Sequence, residues 1–231
     1  MRPFRTVVAL AGLVAILAPA SAHAQLSGPT AYTPDELAAL SANLGSVLRF
    51  RQLGDTTTLP KGRVEVGVQF ASAPIDDPNG SYNHTRFVGR VGVGDRVDLG
   101  AWGGYNSQMK DGMAGVDARI ALFRQGPSMP VSVSIRPSFS SLLGTADIWA
   151  GTVGADVTVS RTFGAFSPYA GLAATSSLAT ERLSDIDFDK TTAGATLGYV
   201  GVSYSWQSLV AAVEMEKGTR VSYAVRLGAR F

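Results

Sequence analysis

From Arg63 to Phe231 the sequence alternates apolar and polar residues with a period of two, in segments of about ten residues separated by turn-forming clusters. "RVEVGVQF" sets Val64, Val66, Val68 and Phe70 against Arg63, Glu65, Gly67 and Gln69. "MAGVDARIALF" sets Ala114, Val116, Ala118, Ile120 and Leu122 against Gly115, Asp117, Arg119 and Ala121, and "VSVSIR" sets Val131, Val133 and Ile135 against Ser132, Ser134 and Arg136. A helix cannot keep such a pattern on one face, because its side chains repeat every 3.6 residues. Each segment is therefore expected to be a strand with one apolar face.

Ten such segments run over 63–70, 86–94, 96–105, 112–123, 130–138, 149–161, 167–175, 191–204, 208–216 and 220–231. Three fit less well. "SPYAGLAAT" is small on both faces, Trp102 falls on a polar face, and the large residues of "AGATLGYVGVSYSW" change parity near Tyr199, where a bulge is expected. The connections alternate between one side ("GD", "RQGPSM", "TFGAF", "WQS") and another that carries most of the length ("ASAPIDDPNGSYNHT", "NSQMKDG", "SSLLGTAD", "SSLATERLSDIDFDK", "EKGT").

The polar face separates two architectures. A water-soluble sandwich presents its polar face to solvent and favours Lys and Glu there. Here that face is Gly, Ser, Thr, Asp and Arg with few lysines, which suits a narrow enclosed lumen. The expected fold is an all-β, closed antiparallel transmembrane β-barrel of about ten strands, eight or twelve being the neighbouring even numbers. Backbone groups facing lipid have no water to bond, so the first strand must pair with the last.

The leader agrees with export. Met1 to Ala24 combines Arg2 and Arg5, the apolar run "TVVALAGLVAILA" and the small-x-small "AHA", the three parts of a cleaved signal peptide. Of 20 Lys plus Arg, loss of Arg2 and Arg5 leaves 18, against 18 Asp plus Glu, a neutral balance with no electrostatic footprint for nucleic acid. The chain has no cysteine, which excludes disulfides and thiolate metal sites. Residues 25–62 lack the period of two. "TPDELAALSANLGSVLRF", with Thr33 or Asp35 as cap and Leu37, Leu40, Leu44 and Leu48 on one stripe, is expected to form a short amphipathic periplasmic helix leading into the barrel of residues 63–231, the alternatives being that it enters the lumen or holds a protein partner.

The final strand carries a resemblance. Tyr223, Val225, Leu227, Ala229 and Phe231 match the signature of outer-membrane barrels, an aromatic end preceded by apolar residues at alternate positions. Over residues 63–231 the chain resembles the small outer-membrane barrels of the OmpA and OmpX type. That resemblance implies outer-membrane lipid and the barrel-assembly machinery as partners, with those five residues as the assembly signal.

The candidate site is the lumen. Glu65, Asp98, Asp117, Asp156 and Glu214 are expected to face Arg90, Arg119, Arg136 and Arg226 inside it. Unpaired buried charge is costly, so these groups should pair and fill the barrel. The alternative is that they line a narrow channel for small solutes.

No catalytic set, cofactor or metal site is expected. His84 is placed in a loop with Ser81, Asp76 and Asp77, and the Asp-His pair of the omptin-type membrane proteases, also ten-stranded barrels, does not occur. "DIDFDK", with Asp185, Asp187 and Asp189, lacks the glycine and distal glutamate of a calcium loop. The expected role is structural or in surface interaction, any extracellular ligand being met by the loops over 71–85 and 176–190.

Overall fold

The computed structural model describes residues 41, 42, 45, 48, 49, 51, 53–74, 81–106, 111–143, 148–181, 191–218 and 221–231. Residues 1–24, Thr33, Asp35, Leu37, Leu40, Leu44, Asp76, Asp77 and the Asp185–Asp189 cluster lie outside the described residues.

Ten antiparallel strands follow one another in sequence order: β1 (Val64–Pro74), β2 (Ser81–Gly92), β3 (Val97–Asn106), β4 (Asp111–Phe123), β5 (Ser132–Leu143), β6 (Ile148–Ser160), β7 (Phe166–Glu181), β8 (Thr191–Trp206), β9 (Leu209–Lys217) and β10 (Val221–Arg230). Each pairs with its neighbours, and β1 pairs with β10 to close the barrel. The seam runs from Glu65 opposite Arg230 to Ser72 opposite Tyr223. It is extended by reciprocal bonds between Val64 and Phe231 (3.1 and 2.8 Å). Closure leaves no unpaired edge, which is what lipid surroundings demand.

At one end, here the turn end, the connections are tight. Gln207 takes a left-handed φ of 51° in the β8–β9 turn, and Gly164 a φ of 63° between β6 and β7. Val64 and Phe231 lie at this end. The opposite, loop end holds Pro74, Ser81, Leu143, Ile148, Glu181 and Thr191.

The period of two decides what faces where. Outward positions remain uncovered by protein: Leu172 is 66% exposed, Leu227 60% and Val116 54%. Inward positions are buried and polar, with Asp98 at 0% and Arg136 at 1%. This inverts a soluble barrel and is the arrangement of one solvated by hydrocarbon. Aromatics gather at the turn end, where Phe123, Phe163, Phe166, Trp206 and Phe231 are exposed, while Tyr105 and Tyr223 stand outward near the loop end. Such girdles mark the two interfaces of a membrane.

Four expectations are corrected. No register shift occurs at Tyr199; the shift lies between Ala121 and Phe123 of β4, opposite β5. Tyr199 breaks the apolar-outward rule because it points inward, over Gly171, its cross-strand partner. Tyr169 stands in the same way over Gly201, and Trp102 over Gly115. A Cβ at Gly115 would approach the Trp102 ring to 2.5 Å, so the small inward residues of β4, β7 and β8 make room for large inward aromatics.

Second, the strands reach further toward the loop end than the turn chemistry suggested. Residues 71–74, 81–85 and 176–181 continue β1, β2 and β7, which shortens both proposed contact loops. Third, His84 consequently lies within β2 with its side chain buried, and is not a loop residue.

Fourth, the described part of the segment before β1 lies inside the barrel and does not merely lead into it. Ser41, Ala42, Gly45 and Leu48 have helical backbone, and the Arg49 amide bonds the Gly45 carbonyl (3.1 Å). Their neighbours are inward residues of the wall. The physical reason is that a ten-stranded barrel has an interior too wide for its own small Ser, Thr and Gly side chains to fill.

Candidate functional site

The lumen is built from two layers, the inward side chains of the wall and the N-terminal segment that passes through them. That segment, here the plug, descends from the loop end to the turn end. Near the loop end the Ser41 hydroxyl donates to the Ser177 carbonyl (3.2 Å), and the Ser140 hydroxyl of β5 to the Leu48 carbonyl (2.8 Å). Midway, the Arg49 carbonyl accepts from Arg86 Nη1 (2.8 Å) and the Leu53 amide donates to Glu214 Oε2 (3.1 Å). Toward the turn end Thr56 meets Ser160 (hydroxyl to hydroxyl 2.6 Å), Thr58 donates to the Asp95 carbonyl (3.1 Å), and the Leu59 amide donates to Asp98 Oδ2 (3.1 Å). Thr56, Ser160, Leu53 and Leu59 are all buried.

All nine charged residues singled out from the sequence are buried, and the register shows which can meet. Asp98 of β3 is directly opposite Arg119 of β4, and Arg136 of β5 opposite Asp156 of β6. Arg119 reaches Asp98 Oδ2 through Nη2 (2.6 Å) and Nε (3.1 Å), and its Nη1 donates to the Asp55 carbonyl of the plug (2.9 Å). Arg90 bridges Asp98 and Asp117, with 2.5 Å to Asp117 Oδ2. A four-membered network of alternating sign results, in which two guanidiniums pair with two carboxylates and Asp117 Oδ1 alone is left without a hydrogen bond among the described residues.

Arg136 Nε donates to Asp156 Oδ2 (2.8 Å), while the other oxygen of Asp156 accepts from Tyr199 (3.1 Å) and Thr158 (3.2 Å). At the seam Glu65 is held by Arg226 and by Arg230 Nε (2.5 Å), so an ion pair joins the first strand to the last. Glu214 differs from the rest. It accepts from the Leu53 amide of the plug and from Tyr169 (3.1 Å), and the arginines whose charge acts on it are Arg51 and Arg49 of the plug and Arg136 of the wall.

Several lumen residues were not singled out from the sequence. Arg86 lies two steps of the inward face from Arg90, with Val88 between, and is stacked over Trp102 at 4.1 Å. Glu216, next inward after Glu214, pairs with Arg49 and accepts from Ser222 (3.2 Å). Arg230 was on the polar face of the last segment but was not assigned to the network. Extending the parity of β2, β9 and β10 would have found all three. Arg49 and Arg51 had no such signal, because the plug carries no period of two.

Among the described residues no group of three or more His, Asp or Glu is placed to hold a metal ion. Of the C-terminal residues, Tyr223, Val225, Leu227 and Phe231 are exposed outward, and Ala229, on the same face, is partly covered.

No protein-family model matches the sequence, and no curated protein matches it. Solved structures similar to it include the N-terminal β-barrel domain of OprF from Pseudomonas aeruginosa, 12% identical over 75% of this chain and 100% of its own, with a TM-score of 0.34. KdgM porin is 14% identical over 72% of this chain and 99% of its own, with a TM-score of 0.38. Neisserial surface protein A is 16% identical over 73% and 94%, with a TM-score of 0.31. At scores this low the ten-stranded architecture rests on the strand register and not on these likenesses.

Proposed function

We propose that this protein is an integral outer-membrane barrel whose lumen is filled, and that its role is structural or in contacts made at the loop end. The observation that carries the reading is the plug: described residues from Ser41 to Leu59 bond inward residues of β2, β3, β4, β5, β6, β7 and β9. Paired charges of the wall occupy much of the remaining space. A path for solutes would have to displace both. The exposed apolar belt and its aromatic girdles support placement in a membrane, and the leader supports export to the outer one.

The outward row of Tyr223, Val225, Leu227 and Phe231, with Ala229, is the proposed contact for the assembly machinery, since it is open to a partner before lipid covers it. Surface contacts fall to residues beyond the loop-end strand termini. The proposed role involves no bound cofactor and no hydrolysis.

The deciding experiment pairs two measurements on detergent-extracted protein. Unboiled samples should migrate differently from boiled ones on a gel, as a closed barrel does, and reconstituted protein should give no large, stable conductance steps in a planar bilayer. A mobility that never shifts would remove the barrel from the membrane. Steady conductance of the unaltered chain would remove the filled lumen.

A further inference from the structure

We propose that the barrel is a latent cation-conducting pore, closed by its own N-terminal segment, in which Arg49 and Arg51 occupy an acidic site made by Glu214 and Glu216 of β9. This rests on the filled-lumen reading above.

The inference comes from how the inward charges divide. Asp98 and Asp117 are held by Arg90 and Arg119, Asp156 by Arg136, and Glu65 by Arg226 and Arg230, all residues of the wall. Among the described residues Glu216 pairs with a cation of the plug, and Glu214 feels the plug's Arg51 more strongly than the wall's Arg136. Arg49 pairs with Glu216, and the attraction that Arg51 feels is that of Glu214. Both glutamates are buried, at 4% and 6% exposure, and they point the same way from alternate positions of one strand.

Arg51 makes the case sharper. Its guanidinium is fully buried, yet none of its three nitrogens has a hydrogen-bond partner among the described residues. It is held there by field and not by fit, as a mobile cation would be. Two wall arginines also contact the plug here: Arg86 is turned onto Trp102 and the Arg49 carbonyl, and Arg226, paired with Glu65, donates to the Leu53 carbonyl (3.3 Å). Withdrawal of the plug therefore takes two positive charges from beside two carboxylates and leaves an acidic stripe along the opened lumen. Small cations are the class of solute that such a stripe admits.

The plug can be released and locked within the full-length chain. Arg49→Gln with Arg51→Gln should convert a silent protein into one that opens at least about tenfold more often in a planar bilayer, the loss expected for buried ion pairs. In a salt gradient the openings should favour potassium over chloride. Adding Glu214→Gln and Glu216→Gln should abolish that preference while openings persist.

The chain has no cysteine, and a Cβ at Gly45 would stand 3.0 Å from the Ser177 Cβ, within reach of a disulfide after small adjustment. Gly45→Cys with Ser177→Cys should silence the openings when oxidised and restore them when reduced. Each variant is first checked for heat-modifiable mobility, so that a misfolded chain is not scored. Steady conductance of the unaltered protein overturns the filled lumen itself. A silent wild type with an equally silent, folded Arg49→Gln, Arg51→Gln variant overturns the latent pore alone. Anion preference, or openings indifferent to the disulfide, overturns it as well.

Discussion

The two sides of the lumen are neutralised in different ways. On the β2–β4 side the wall completes itself: Arg90, Asp98, Asp117 and Arg119 form a closed set, to which the plug adds only the Leu59 amide and the Asp55 carbonyl. On the β9 side the wall contributes carboxylates, and the plug contributes the cation paired with Glu216 and the one acting most strongly on Glu214. The first arrangement can form as the strands pair. The second requires the N-terminal segment to be in place. A barrel with both has one half that specifies its closure and another that specifies its contents.

The most disruptive test of this contrast is Asp98→Ala. Asp98 is wholly buried and shared by Arg90 and Arg119, so its removal leaves guanidiniums without their counter-charge in a site closed to water. A cost of about 3–5 kcal/mol is expected. Urea unfolding in lipid vesicles, followed by gel mobility, reads it. A cost near zero would mean that the β2–β4 side also leans on the plug, and the contrast would fail.

Next in size is Gly171→Val. Tyr199 lies directly over Gly171, and a Cβ there would also come within 2.6 Å of the Val157 carbonyl. The ring would have to leave its place above β7, and with it the bond from Tyr199 to Asp156. Overpacking of this kind costs about 1–3 kcal/mol, measured by the same unfolding series. Tyr199→Ala added to Gly171→Val should recover part of the loss, because the clash disappears with the ring. Failure to recover would place the strain in the β7 backbone instead.

How far these features are legible in the sequence follows from the same division. Strand order, closure and the pairs Asp98–Arg119 and Arg136–Asp156 follow from a period of two and an antiparallel register, because both are local rules repeated along the chain. The inward turn of Tyr199 was hidden because its reason, Gly171, lies on another strand. His84 was assigned to a loop because Asn, Gly and Pro near it resemble turn residues, whereas cross-strand pairing from Pro74 opposite Ser81 carries β1 and β2 past that stretch. The lumen was one of several places open to the plug from its sequence. Leu48 gives an apolar stripe whether it packs on a barrel mouth or inside, and nothing local distinguishes the two. Arg49 and Arg51 acquire meaning only beside Glu216 and Glu214, which lie at the other end of the chain.

The smallest expected effect sharpens the comparison most. Tyr169→Phe leaves the ring over Gly201, so packing is unchanged, and removes the hydroxyl that donates to Glu214 and accepts from the Gly54 amide of the plug. If the plug is what satisfies Glu214, the Leu53 amide and the field of Arg51 remain, and the cost should be about 1 kcal/mol. A cost of several kcal/mol would show that Tyr169, a residue of the wall, holds the carboxylate. The β9 side would then complete itself as the β2–β4 side does. Repeating Tyr169→Phe in the Arg49→Gln, Arg51→Gln background separates the contributions: with the plug cations gone, the tyrosine hydroxyl is the remaining wall partner, and its loss should become more costly there than in the unaltered chain. Equal costs in the two backgrounds would mean that wall and plug act on Glu214 independently.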